Sequence, residues 1–346
     1  MSAPSVQPRR ATAEADPTLF NDWHAVAFSS ELGHAAPLAT KLLGEDVVLW
    51  RSSDGVHAWE DRCPHRGVPL SRGQIGGDCL ACPYHGWRYD RAGDCVHVPS
   101  APDLPPPRAR VRVFPANERN GLIWASLGRP GHGVPDFPEW SDAAFATFQA
   151  GPYQYAGNAF RTVENFFDTA HLPFVHPNLN GMPAAPDRLP EIEVCESEEG
   201  LTTSGVTVFQ PFGDPRQIPV HATYRYLALR PTTAGFRKSV KLAEPHAAAR
   251  GRDGDLFCTY ITVQPTDEES CVVRVSLAHN FREAVTADDV RRRTDLVFEQ
   301  DREIVELQRP KKLPLDLAAE MHVRADRLAV AYRRWLRKLN VTYGTI

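Results

Sequence analysis

The sequence predicts an α+β protein, with an all-β N-terminal domain followed by an α+β domain whose antiparallel sheet is flanked by helices. Three observations carry this. Short β-prone runs separated by Gly and Pro fill the first third of the chain. Apolar and polar residues alternate in Val273-Arg-Val-Ser-Leu277, the period of a half-buried antiparallel strand, and four further β-prone runs precede it. Two helical patterns, 287–308 and 319–339, close the chain. A length of 346 residues accommodates about two domains. With 42% hydrophobic and 24% charged residues the composition is that of a globular protein, which excludes a disordered chain, a collagen-like repeat and a coiled coil. A net charge of -4 offers no basic surface for nucleic acid or an anionic membrane. No apolar run approaches the ~18 residues that span a bilayer.

Taken in order, residues 1–17 read as a flexible leader. Arg9-Arg10 is followed by Glu14, Asp16 and Pro17, which cannot form the apolar core of an export signal, so the chain is expected to be cytoplasmic. The first domain is placed at 18–130. Its hairpin pairs Asp46–Trp50 with Val56–Trp59 across Ser52-Ser-Asp-Gly55, and the runs 111–114 and 121–125 close it. Gly and Pro concentrate between Gly128 and Pro138, which puts the second domain at 131–346. There, Glu164–Val175 reads as a helix interrupted by Pro173. Strands are expected at 201–209, 221–230, 236–243, 256–264 and 271–279. Thr286-x-x-Asp289 is a capping box for the first of the two closing helices.

Seven cysteines are too few and oddly numbered for a disulfide scaffold, and four of them, Cys63, Cys79, Cys82 and Cys95, fall in one stretch. Within it stand Cys63-Pro-His65-Arg-Gly and Cys82-Pro-Tyr-His85-Gly-Trp, two Gly/Pro-rich loops that each offer one thiolate and one imidazole. That ligand set matches a Rieske [2Fe-2S] cluster, in which two histidines replace two cysteines on one iron. A structural zinc site is the alternative, although zinc loops usually pair like residues. Cys79 and Cys95 are not at ligand spacing and read as ordinary thiols.

Asn165-x-x-Asp168-x-x-His171-x4-His176 supplies a second candidate, because two histidines and one carboxylate on one face of iron leave positions open for dioxygen and substrate. A spacing of five does not stack two side chains on a regular helix, so Pro173 is expected to break the helix and let His176 swing back. The carboxylate must come from elsewhere. On 287–308 the stripe Val290, Thr294, Val297, Asp301, Ile304 and Gln308 points Asp301 inward among apolar residues. Such a carboxylate needs a metal or a cation, and an ion pair to Arg291–Arg293 or Arg302 is the alternative.

These motifs together resemble the terminal oxygenase (alpha) component of Rieske non-haem iron oxygenases. Respiratory-chain Rieske proteins carry an extra cysteine in each loop where Val68 and Tyr84 stand here, which favours the oxygenase branch. The resemblance implies a catalytic domain of the helix-grip type. Through Asn165-Phe-Phe-Asp168-Thr-Ala-His171 and Gln300-Asp301-x4-Glu306 it places mononuclear Fe(II) on His171, His176 and Asp301. It makes Asp168 the bridge to the Rieske His85 of a neighbouring subunit, the two metals of one chain being too far apart, and hence implies a head-to-tail homotrimer. The chain length is similar to the vanillate demethylase-like branch of homotrimeric monooxygenases and demethylases. The implied partners are O2, a small aromatic substrate, and either a flavin/iron-sulfur NAD(P)H-dependent reductase or a ferredoxin. In keeping with a separate reductase, the chain has neither a Gly-x-Gly-x-x-Gly fingerprint nor Cys-x4-Cys-x2-Cys spacing. The alternatives are a cis-dihydroxylating ring dioxygenase, a Rieske electron-transfer protein without oxygenase activity, and a zinc-stabilised binding module. Phe160, Phe166, Phe167, Phe209 and Phe212 either line an aromatic-binding cavity or pack in the core.

Overall fold

The computed structural model describes residues 16–213, 215–243, 251–281 and 285–346, and the chain divides into two compact units that meet between His132 and Gly133. Of the expected leader, residues 1–15 lie outside the described residues. Its last two do not behave as a leader. Asp16 is buried and its side chain accepts from Leu19 N at 3.0 Å, capping a short helix α1 (Pro17–Phe20) whose first position is Pro17.

The N-terminal unit is built from β1 (His24–Phe28), β2 (Leu38–Leu42), β3 (Glu45–Ser52), β4 (Gly55–Glu60), β5 (Gln74–Gly76), β6 (Cys79–Ala81), β7 (Arg88–Asp90), β8 (Cys95–His97), β9 (Val113–Phe114), β10 (Ala116–Arg119) and β11 (Leu122–Ala125). They form three small antiparallel sheets in the orders β1-β11-β10, β2-β3-β4-β9 and β5-β6-β7-β8. The expected hairpin is present, with Ser52 opposite Gly55. Val48, Trp50, Trp59, Leu70, Leu80 and Tyr89 make one apolar core that also takes in Cys63 and Cys82.

In the C-terminal unit α2 (Pro138–Ser141) leads into β12 (Ala146–Tyr155), α3 (Ala159–Phe167) and α4 (Leu172–Val175). The strands β13 (Val194–Ser197), β14 (Gly200–Thr203), β15 (Val206–Gln210), β16 (Val220–Arg230), β17 (Thr233–Leu242), β18 (Leu256–Pro265) and β19 (Cys271–His279) follow, then α5 (Ala287–Leu307) and α6 (Arg327–Lys338). The strands form one antiparallel sheet ordered β12-β19-β18-β17-β16-β14-β13, with β15 also on β16. The expected strand 201–209 is split at Ser204-Gly205, and its halves pair with successive parts of β16. β12 and β13 were not expected; the Gly151-Pro152 bulge in β12 masks its alternation.

Three helix expectations are corrected. The segment 164–175 is not one helix interrupted at Pro173: α3 ends at Phe167, Asp168 is extended (φ -80, ψ 125), and Pro173 sits in the first turn of α4, where proline's missing N–H costs little. The last helix begins at 327 rather than 319, after two 3-10 turns. On α5 the stripe turns outward after Asp301, since Ile304 is exposed and the buried line runs Val290, Thr294, Phe298, Val305. The capping box at Thr286 and Asp289 is formed as expected. Tyr153 and Tyr155 of β12 pin this helix, their hydroxyls donating to Asp295 Oδ1 and the Phe298 carbonyl, both at 2.5 Å.

A four-charge cluster ties α6 to α3. Arg333 forks onto Glu164 (2.5 and 2.8 Å) and reaches Glu320 (2.6 Å), which Arg161 also meets at 2.6 Å. Burial would raise the Glu320 carboxyl, but the hydrogen bonds from Arg161 and Arg333 outweigh it and bring it down to about 2. A depressed carboxyl stabilises above its unfolded value and loses that contribution as pH falls through its folded one. We expect Glu320→Gln to lower stability by about 1–3 kcal/mol at pH 7, since it leaves two buried guanidinium groups short of a charged acceptor. The deficit should shrink as pH falls from about 4.5 towards 2. Urea unfolding of both proteins across that range measures it.

Candidate metal centres

The two Cys/His loops share one backbone plan. Cys63 N donates to Val68 O (2.9 Å) and Gly67 N to Cys63 O (2.8 Å); Cys82 N donates to Trp87 O (2.8 Å) and Gly86 N to Cys82 O (3.0 Å). Each loop closes through a glycine at positive φ, +74 at Gly67 and +69 at Gly86, a conformation that a side chain disfavours. This is why both motifs need glycine just after the histidine region. The plan buries Cys63 and Cys82 and presents the histidines side by side, ring centroids 4.7 Å apart, with His85 exposed. Trp87 stacks on His65 at 4.2 Å, and the Tyr89 hydroxyl lies 3.1 Å from Cys63 Sγ. Burial and the hydrogen bond with Cys63 push the Cys82 thiol up.

Two observations test these four residues against a cluster. His65 Nδ1 is buried with no hydrogen-bond partner, a polar atom that a metal would satisfy. Among the described residues the group whose donor atoms converge tightly enough for a single ion is a different one, so the loop residues do not draw together as a lone zinc would require. Two cysteines in one core and two imidazoles side by side on the paired loops are the donor set of a two-iron cluster. Cys79 and Cys95 are free thiols, as expected.

That different group is His171, His176 and Asp301, with ligand atoms within 4.8 Å of one another. His171 Nε2 lies 3.2 Å from His176 Nε2, and Asp301 Oδ1 is 3.5 and 3.2 Å from them. His171 is the N-cap and His176 the C-cap of α4, so one short helical turn replaces the swing around Pro173 that the sequence suggested. The ion-pair alternative for Asp301 is not what forms: Arg302 takes Glu299, Arg293 binds the Phe212 carbonyl and Asn180, and Asp301 faces the two histidines. Its Oδ1 is buried without a hydrogen bond. A carboxylate and two imidazole nitrogens so close together fit a divalent cation.

Each imidazole is oriented from behind. His176 Nδ1 meets Gln300 Oε1 at 2.8 Å; an amide oxygen accepts, so Nδ1 carries the proton and Nε2 keeps its lone pair for the cluster of ligands. His171 Nδ1 faces Asp168 Oδ2 at 3.5 Å. Burial would raise the Asp168 carboxyl, but His171 holds it below the usual range; burial would lower His171, but Asp168 and Asp301 hold it above. The pocket therefore favours positive charge at this point. Asp168 reaches His171 across the turn that follows α3, not along a helix face. Gln300 was quoted in the sequence motif without a role. Adjacent residues on a helix point about 100° apart, which lets Gln300 and Asp301 meet His176 from two sides.

Beside the ligands lies a cavity of ≈ 90 Å³ between the sheet and the helices, large enough for several waters. Phe166, Tyr224, Tyr226, Phe236 and Phe257 line it. Of the five phenylalanines considered from sequence, only Phe166 does so. Phe160 is core, Phe167 faces a separate ≈ 540 Å³ depression, Phe209 packs by His221, and Phe212 is exposed. Among the described residues no helix is long and apolar enough to cross a membrane.

Comparison with known proteins bears on both centres. Residues 22–115 match the Rieske [2Fe-2S] domain family, and residues 155–341 match the vanillate O-demethylase oxygenase C-terminal domain. Methylxanthine N1-demethylase NdmA of Pseudomonas putida is 32% identical over 92% of this chain and 88% of its own length. Its structure with caffeine superposes with a TM-score of 0.79 at 28% identity, covering 93% of this chain and 91% of that one. Dicamba monooxygenase bound to dicamba gives 0.74 at 26%, covering 93% and 97%. The chain belongs to the Rieske non-haem iron oxygenases, as an oxygenase component carrying a Rieske [2Fe-2S] domain and a catalytic domain for mononuclear iron.

Proposed function

We propose that His171, His176 and Asp301 hold the catalytic Fe(II), that Cys63, His65, Cys82 and His85 hold the [2Fe-2S] cluster, and that the chain hydroxylates or oxidatively demethylates a small aromatic substrate. The convergence of the three ligand atoms at the mouth of an aromatic cavity carries this reading. Bound there, iron supplies dioxygen activation with electrons received singly from a separate reductase through the cluster. The protein's own part is positional. Gln300 and Asp168 fix the imidazoles, and the aromatic walls orient a flat ring and exclude water. Demethylation or hydroxylation is favoured over cis-dihydroxylation because relatives that match more than nine-tenths of the chain include two methylxanthine demethylases and a flavonoid 8-hydroxylase.

The Asp168 bridge and the homotrimer belong to the same proposal. Asp168 lines the ≈ 540 Å³ depression, whose rim carries the exposed apolar residues Ile304 and Met321, a surface suited to another copy of the chain. His85 is exposed on its loop, as contact with Asp168 of a neighbouring subunit requires. Cytoplasmic placement is supported by the seven cysteines, no two of which are joined in a disulfide.

Three outcomes are expected. Replacing His65 or His85 with Ala should remove the Rieske absorbance and abolish turnover; an iron-replete wild type without acid-labile sulfide overturns the cluster assignment. Asp301→Ala should leave the red-brown cluster intact while affinity for the mononuclear iron falls by at least about 10–100-fold, read by metal analysis and colorimetric titration. Asp168→Asn should retain both metals, yet re-oxidation of the pre-reduced, substrate-loaded cluster by O2 should slow by orders of magnitude. A wild-type rate in stopped flow, or a fully active monomer, removes the bridge.

A further inference from the structure

The aromatic cavity is smaller than the ring that the oxygenase reading puts in it. At ≈ 90 Å³ it falls below the ~150 Å³ of an apolar cavity that takes one benzene. A second chamber of ≈ 270 Å³ lies against it. Among the described residues Leu172 and Asn180 line both, so these two side chains stand in the partition. The stretch 168–172 follows the same divide, with Asp168 and His171 on the cavity and Thr169 and Ala170 on the chamber. Joined, the two spaces exceed the ~300 Å³ at which small-molecule sites begin.

Most of the surrounding wall is fastened. Asn180 N donates to the His176 carbonyl at 3.1 Å, and Asn180 Oδ1 accepts from Arg293 Nη2 at 2.5 Å. A Cβ on Gly181 would come within 2.8 Å of Pro173 Cβ, a close packing that pins the turn after His176 to α4. Thr169 of the chamber and Tyr226 of the cavity share a hydrogen bond of 3.2 Å. Elsewhere in the cavity wall the buried Lys238 donates to the Gly213 carbonyl at 2.8 Å, and Gln210 Nε2 donates to the Tyr224 hydroxyl at 2.7 Å. Leu172 differs. It is the first residue of α4 and its side chain is held by packing alone, so a change of rotamer there breaks no hydrogen bond.

The lining of the chamber says what suits it. Pro173, Phe174, Leu189, Val208 and Ala325 are apolar, and Asp187 is the one charged residue among the described ones. Its Oδ2 accepts from Phe209 N at 2.9 Å. An anionic group would meet a like charge there, whereas an apolar group would release water from apolar walls.

We infer that the chamber is a second compartment of the substrate site and that Leu172 is its gate. With Leu172 swung aside, the ring to be oxidised occupies the cavity beside His176 and Asp301, and an uncharged aryl or alkyl substituent extends into the chamber. This assignment rests on the oxygenase reading above and is tested apart from it. The rival is a fixed Leu172 beside a groove that holds only water.

The test is calorimetric titration of the iron- and cluster-loaded protein with methoxybenzene and 4-methoxybiphenyl, with iron and sulfide assayed on the same samples. The two probes share one end and differ by a phenyl group. Wild type should bind the biphenyl about 10–100-fold more tightly, the effect of burying that group. Leu172→Trp, which plugs the partition, should bring the ratio close to one. Leu189→Trp, which fills the chamber from another wall, should do the same even where Leu172→Trp does not fold. A metal-loaded wild type with a ratio near one overturns the inference, as does a ratio that survives in the folded Trp variants. Loss of iron from the wild type would instead count against the oxygenase reading.

Discussion

Burying a carboxylate against two imidazoles is tolerable only when positive charge is shared among them, and this constraint organises the catalytic unit. Asp301 Oδ1 sits within 3.5 Å of both histidine nitrogens with no hydrogen bond of its own. An unpaired buried carboxylate would cost several kcal/mol, enough to cancel much of the stability of an ordinary domain. The surrounding fold holds the arrangement regardless. Two tyrosines of β12 fix α5 at Asp295 and Phe298, in the stretch just before Gln300 and Asp301. α3 stops one residue before Asp168, and a single turn of α4 sets the histidines at its two ends. The three side chains are thus brought together by helix placement, and the Arg161–Glu164–Glu320–Arg333 cluster ties α6 to α3.

How much of this was legible in the sequence follows from how local each determinant is. The Cys/His loops were legible because each is set inside six residues, with a cysteine at the start, a histidine two or three residues on and a glycine that closes the turn. Asp301 could be read because an acid in an apolar stripe is conspicuous. The His171–His176 turn was misread, since proline in a first turn and proline in a helix interior look identical until the helix start is known. Gln300 had no signal, its role depending on where His176 arrives from a distant element. Lys238 was hidden for a different reason. In Phe236-Arg-Lys-Ser239 two adjacent cations look equally like surface residues, and only the helices packed over one face of the sheet decide which is enclosed.

The two ligand histidines differ in what stands behind them, and the difference follows exposure. His176 is fully buried and backed by the neutral amide of Gln300; His171 is backed by the carboxylate of Asp168, whose side chain is 35% exposed. A second anion behind His176, in the same buried pocket as Asp301, would add a desolvation cost, whereas an amide fixes the tautomer without adding charge. On the open side a carboxylate is affordable. Asp168 and His171 both line the apolar cavity and the polar depression behind it, and so form the wall between them. One side of that wall is the small aromatic-lined cavity. The other is the wider depression, with Ile304 and Met321 exposed at its rim.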